Sequence, residues 1–240
     1  GIICMTGTAG RALGREVLFG GRRDPLGRFS PGGIVSKVFL RSTFVGYGIA
    51  GIMVGYVTLF YLVGSRYFGV WSPADVSDYD NAFSTAIPWI YPLLVGLVAS
   101  TMEEFFFRLL AIPLLIRWLK RRWLAVLLPA VAWAFLHSNY PVEPIYTRGI
   151  ELTVVGVMFG VAFLRFGIWA PIIAHYSYNA FLTALPMMKS SSMYFQVSGI
   201  AVTGILLLPA IPALIAVLTG RSHEVEDRVE EEIPEPAVEA

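Results

Sequence analysis

The sequence has little charge to spread over its length. Of its 240 residues 15% are Asp, Glu, Lys or Arg, against roughly 25% in an ordinary soluble domain, and 56% are hydrophobic. That balance excludes a soluble globular chain and specifies an integral membrane protein. The formal net charge is +1, and the basic residues flank apolar segments rather than gathering on one face, so no nucleic-acid partner is expected. There is one cysteine, Cys4, which excludes an internal disulfide and a cysteine-rich zinc site. The chain opens on Gly1, with no charged segment leading into an apolar stretch and no cleavage site. A signal peptide is therefore not expected, and a longer parent chain is.

What the sequence does have is a series of apolar runs, most of them long enough to cross about 30 Å of hydrocarbon and one, at 152–164, shorter. They fall at 42–65, 81–119, 123–140, 152–164, 166–188 and 193–220. The expected fold is all-α, a polytopic transmembrane helical bundle of about six spans. Run 81–119 is too long for one straight span and carries Pro88 and Pro92, so it is expected to tilt, kink or break. Pro209 and Pro212 are expected to kink the last run.

Arg11, Arg15, Arg22, Arg23, Arg28, Lys37 and Arg41 make residues 1–41 a basic flank, in which a stretch such as 11–19 suits a helix lying on the membrane surface. The loop after the first run holds Asp75, Asp78 and Asp80, whereas Arg117, Lys120, Arg121 and Arg122 close the second. Lys and Arg concentrate on the cytoplasmic side, which puts both chain ends in the cytoplasm, with a bacterial cell membrane the expected location. Residues 42–220 then form the membrane domain, and 221–240 an acidic tail expected to be disordered.

Gly46-Tyr47-Gly48-Ile49-Ala50-Gly51 matches the dinucleotide fingerprint in form, but no strand precedes it, so no cofactor is assigned. Gly51 and Gly55 read instead as a small-residue stripe for close helix packing. Trp71, Trp89, Tyr91, Trp123, Tyr140 and Trp169 mostly lie near run ends, where amphipathic rings anchor at the interface.

Against this background Glu103, Glu104 and Arg108 stand out, because no other charge occurs between Asn81 and Ile116. Ionisable groups at membrane depth are costly and mark function. Two of the three histidines, His137 and His175, also fall in apolar runs. Counted from the inner basic flanks at 1.5 Å per residue, Glu103 lies about 24 Å deep, His137 about 21 Å, and His175 with Asn179 about 15 to 21 Å. Polar groups from three runs thus reach similar depth. Helical spacing pairs Glu104 with Arg108 and places His175 and Asn179 on one face, leaving Glu103 free to meet His137.

A carboxylate beside an imidazole in a dry cavity can activate water, while His175 and Asn179 can donate to a developing oxyanion, a set that suits peptide-bond hydrolysis. Glu103, His137 and His175 are also of the right types to hold zinc with an open position for water.

Glu103-Glu104-x-x-x-Arg108, an aromatic four residues before His137, and His175-x-x-x-Asn179, in that order on successive runs, resemble the CAAX protease and bacteriocin-processing family of intramembrane endopeptidases. These include the type II CAAX prenyl proteases. The likeness covers roughly 86–185. It implies a helical membrane fold with its site between helices, in which Glu103 and His137 activate water, His175 and Asn179 bind the oxyanion, and Glu104 and Arg108 support the architecture. The implied substrate is a peptide or protein, membrane-anchored or lipidated in some cases. Trp133 stands where the family more often has Phe, and Leu109 where bacterial members often have Gly; both are placed outside the chemistry. Two other readings remain open: a proton-coupled transporter using the same residues as a relay, and a non-catalytic membrane scaffold.

Overall fold

The computed structural model describes residues 1–21, 26, 32–72 and 83–222. Asp75, Asp78, Asp80, His223 and the acidic tail lie outside the described residues, as do Arg22, Arg23 and Arg28.

Helix α1 (Ile2–Val17) is longer than the surface stretch expected at 11–19. It buries Thr6, Gly7, Gly10 and Gly14 on one face. After a 3₁₀ turn at Gly33–Val35, Ser36 starts α2 (Lys37–Tyr67) by accepting the Phe39 N–H on its hydroxyl at 3.1 Å. That bond satisfies one of the donors a helix start leaves unpaired.

The long run beyond is helical from α3 (Ile90–Glu104) through a π-helical turn (Phe105–Leu110) into α4 (Ala111–Leu119), with right-handed angles kept at both junctions. Pro88 lies in the turn before α3 and Pro92 in its first turn, while the interior of 81–119 carries this widened turn, which begins at the residue after Glu104. A π turn rotates the residues beyond it, so the side chains on its two sides aim differently from those of a plain α-helix.

Lys120, in the left-handed region at φ 56°, closes α4 and turns the chain into α5 (Arg122–Phe135). Then come α6 (Thr147–Phe166) and, after Gly167 at φ 80°, α7 (Trp169–Met188). Glycine adopts that angle without the steric cost of a Cβ. Helices α8 (Met193–Ile205) and α9 (Ala210–Leu218) meet at 50°, the break ending at Pro209.

No strand occurs among the described residues beyond a single bridge between Trp71 and Glu143. Among the described residues, helices α2 and α6 are long and apolar enough to cross a membrane, and α8 with α9 makes a third if the bent pair counts as one span. About six were expected. The difference has identifiable causes: the π turn divides run 81–119, α5 ends at 14 residues, and α7 carries His175, Tyr176, Ser177, Tyr178 and Asn179 in its middle.

Helix α7 is central, packing against α2, α3, α6 and α8, while α5 lies along α6 and α1 lies across the π turn. Close approach is made at particular glycines. A Cβ on Gly46 would come within 2.8 Å of the Ala170 carbonyl oxygen on α7, and one on Gly156 within 2.9 Å of the Ala130 Cβ on α5. Gly51 and Gly55, expected to be such points, face open space instead. The contact falls at Gly46 because the α2 face turned to α7 carries Val38, Phe39, Ser42, Thr43 and Gly46. A buried apolar cluster of Met53, Trp133, Ala134, Leu152, Val155, Phe159, Ala174 and Tyr178 fills the space between α2, α5, α6 and α7. Two of its rings, Trp133 and Phe159, form the floor of the site.

Candidate active site

Glu103 and Glu104 end α3, one turn before Arg108 in the π turn. Adjacent residues on a helix diverge by about 100°, so the two carboxylates take separate partners. Glu104 is fully buried and its Oε1 accepts from Arg108 Nη1 at 3.1 Å and from His175 Nδ1 at 2.9 Å. Arg108 is buried as deeply; its Nη2 reaches the Gly156 carbonyl at 3.4 Å, and its Cζ lies 4.5 Å from the Trp133 ring centre and 5.1 Å from that of Phe159. Removing both charges from water is costly, and the mutual pairing, the histidine and the two aromatic faces offset it.

Glu103 points the other way. Its Oε2 lies 3.9 Å from His137 Nε2 and 3.9 Å from His175 Nε2. The same oxygen accepts the indole N–H of Trp133. His137 stands in the turn beyond α5, with Nδ1 donating to the Trp133 carbonyl at 2.8 Å and its ring 5.1 Å from the indole, edge to face. His175 on α7 is stacked on Phe159 at 5.4 Å. Each imidazole thus commits Nδ1 to a fixed acceptor and turns Nε2 toward Glu103, which sets ring orientation on both sides of the carboxylate. Asn179 is half-buried one turn from His175 on the same face. The structure therefore brings together Glu103, Glu104, Arg108, His137 and His175 from α3, the π turn, the turn after α5, and α7.

Two participants were missed. Trp133, placed outside the chemistry on its departure from the family pattern, touches Glu103, His137, His175 and Arg108. Its signal was the N–H that a Phe in this position lacks. Gly156 is the other: its carbonyl meets Arg108 because the absent side chain lets α6 close on α5. Leu109 does lie away from these groups, fully buried against Gly10 of α1.

Zinc was one option for Glu103, His137 and His175. Among the described residues no group of three or more His, Cys, Asp or Glu is arranged to hold a metal ion. Two donors about 2.0–2.1 Å from one tetrahedral zinc stand about 3.3 Å apart, whereas the carboxylate oxygen is 3.9 Å from each imidazole nitrogen and already accepts from Trp133. The residues as placed do not fit that ion.

An all-helical integral membrane protein whose buried site joins two carboxylates, an arginine and two histidines is the class these observations define. Residues 85–181 match the family described as type II CAAX prenyl endopeptidase Rce1-like, a stretch that includes Glu103, Glu104, Arg108, His137 and His175. The chain is also similar to the sporulation-killing factor biosynthesis protein SkfC of Bacillus subtilis (strain 168), 28% identical over 146 residues. That match takes in 60% of this chain and 29% of SkfC, so the chain spans less than a third of its relative's length. No solved structure matches the chain.

Proposed function

We propose that the protein is an intramembrane endopeptidase in which Glu103 activates water for attack on a peptide bond. The observation that carries this reading is the single Glu103 oxygen facing the Nε2 atoms of both His137 and His175 at 3.9 Å. That spacing is too long for a direct hydrogen bond and suits a water held between carboxylate and imidazole. The Rce1-like match supports peptide hydrolysis at the level of the family.

In this reading Glu103 takes a proton from water, with His137 fixing the water's lone pair toward the substrate carbonyl carbon. The hydroxyl adds and the carbonyl oxygen becomes an oxyanion. His175, bracketed by Glu103 and Glu104, donates Nδ1–H to Glu104 and offers Nε2–H to that oxyanion, and the Asn179 amide adds a second donor. Glu103 then returns its proton to the leaving nitrogen as the carbon–nitrogen bond breaks. The substrate is a peptide or protein reached from within the bilayer.

The test is incubation of membrane-anchored peptides with the protein in liposomes, the products read by mass spectrometry. Paired fragments that appear with wild type and vanish with His137→Ala support the reading. Solute or proton flux without fragments, lost in the same variant, would point to a carrier instead.

A further inference from the structure

A second buried ionic group lies on α6, away from the motif residues. Glu151 is fully buried; its Oε2 accepts from Arg148 Nη1 and from the Tyr61 hydroxyl of α2 at 3.1 Å, while its carbonyl accepts the Tyr56 hydroxyl at 3.2 Å. Such a carboxylate in a helix apolar enough to cross a membrane requires a partner. Pairing explains how Glu151 is tolerated and leaves open what the pair is for.

The other face of Arg148 supplies the answer. Its Cζ lies 5.2 Å from the centre of the Tyr140 ring, and the Tyr140 ring is stacked on the His137 imidazole at 6.0 Å with 24° between planes. The turn bearing His137 lies past the end of α5, on short-range backbone bonds from His137 N to Ala134 O at 3.1 Å and from Tyr140 N to His137 O at 3.2 Å. Tyr140 is 54% exposed, so core packing does not hold its ring in place. The guanidinium does, with Glu151 and Tyr61 holding the guanidinium.

We propose that Arg148 is a positioning residue for His137, clamping Tyr140 against the imidazole face while the Trp133 carbonyl fixes its Nδ1. This rests on the reading of His137 as part of a hydrolytic site. The clamp ties the histidine to α6 and α2, neither of which carries a motif residue.

The test uses the full chain in nanodiscs with isotope-labelled histidine, the His137 ring signal being assigned by its loss in His137→Gln. Arg148→Lys keeps a charge opposite Glu151 but not the flat guanidinium, Tyr140→Leu removes the ring at an exposed position, and Tyr140→Phe retains it. The expected result is a shifted or broadened His137 signal in Arg148→Lys and Tyr140→Leu, with the His175 signal unmoved and Tyr140→Phe like wild type. In cleavage, the two disruptive variants each lower kcat by about tenfold at near-constant KM, and the double variant is no worse than either. A His137 signal indifferent to both changes, losses that multiply in the double variant, or an effect carried by KM would overturn the proposal. A wild-type protein that cleaves nothing, with a His137 signal that still responds to Arg148→Lys, would reject the hydrolytic reading and uphold the clamp.

Discussion

Trp133 donates its indole N–H to Glu103 Oε2, the oxygen that also faces both histidines. The indole is itself held from beneath by the Arg108 guanidinium at 4.5 Å. The proposed base is therefore aimed by a neutral donor that does not compete with it for protons. Trp133→Phe keeps the ring and removes the donor. Cleavage should fall by about tenfold, the worth of one hydrogen bond to a charged acceptor, with thermal unfolding close to wild type. An unchanged rate would show that Glu103 is aimed by other means.

Arg108 answers Glu104 in a place neither can leave. Arg108→Ala strands a buried carboxylate, and one-sided removal of such a partner costs about 3–5 kcal/mol. The measurement is unfolding in detergent, where Arg108→Ala should melt well below wild type. Equal stability would mean that the Glu104 charge is compensated elsewhere.

The approach of α6 to α5 is set at Gly156, where a Cβ would lie 2.9 Å from the Ala130 Cβ and 3.0 Å from its Cα. Backbone cannot step aside as a side chain can. Gly156→Ala should destabilise by about 1–3 kcal/mol and lower cleavage too, because the Gly156 carbonyl and the Trp133 helix move together. Full activity in a destabilised variant would separate packing from the site.

The 3.9 Å spacing around Glu103 and the Trp133 N–H on its oxygen argue for water activation without a metal in the step. Activity should survive dialysis against EDTA, with zinc well below one atom per active chain by elemental analysis. Loss on chelation, restored by zinc, would reverse this view.

Much of the site could be read before any coordinates, for a physical reason. Glu103, Glu104, Arg108, His137 and His175 are polar groups in apolar surroundings, and the cost of placing them there makes them conspicuous. Their convergence followed from counting helical rise. Glu151 is just as deeply buried, yet it escaped notice because it sits beside Arg148 at the edge of an apolar run and passed for the end of a loop. The start of α6 at Thr147 rather than 152 brings it inside. The π turn leaves no mark in residue types, since Phe105–Leu110 suits an ordinary helix equally well. Gly51 and Gly55 have the spacing of a packing stripe, but spacing alone does not say which face of α2 meets α7, and Gly46 holds that face.

The account stands or falls with the Glu103 carboxylate, and its most direct test is the turnover of Glu103→Gln on a membrane-anchored peptide that wild type cleaves. The amide keeps size and can still accept the Trp133 N–H, so the fold should unfold at the wild-type temperature. Turnover should drop by about a thousandfold or more, as when a general base is lost. A Glu103→Gln protein that cleaves at the wild-type rate would contradict the account.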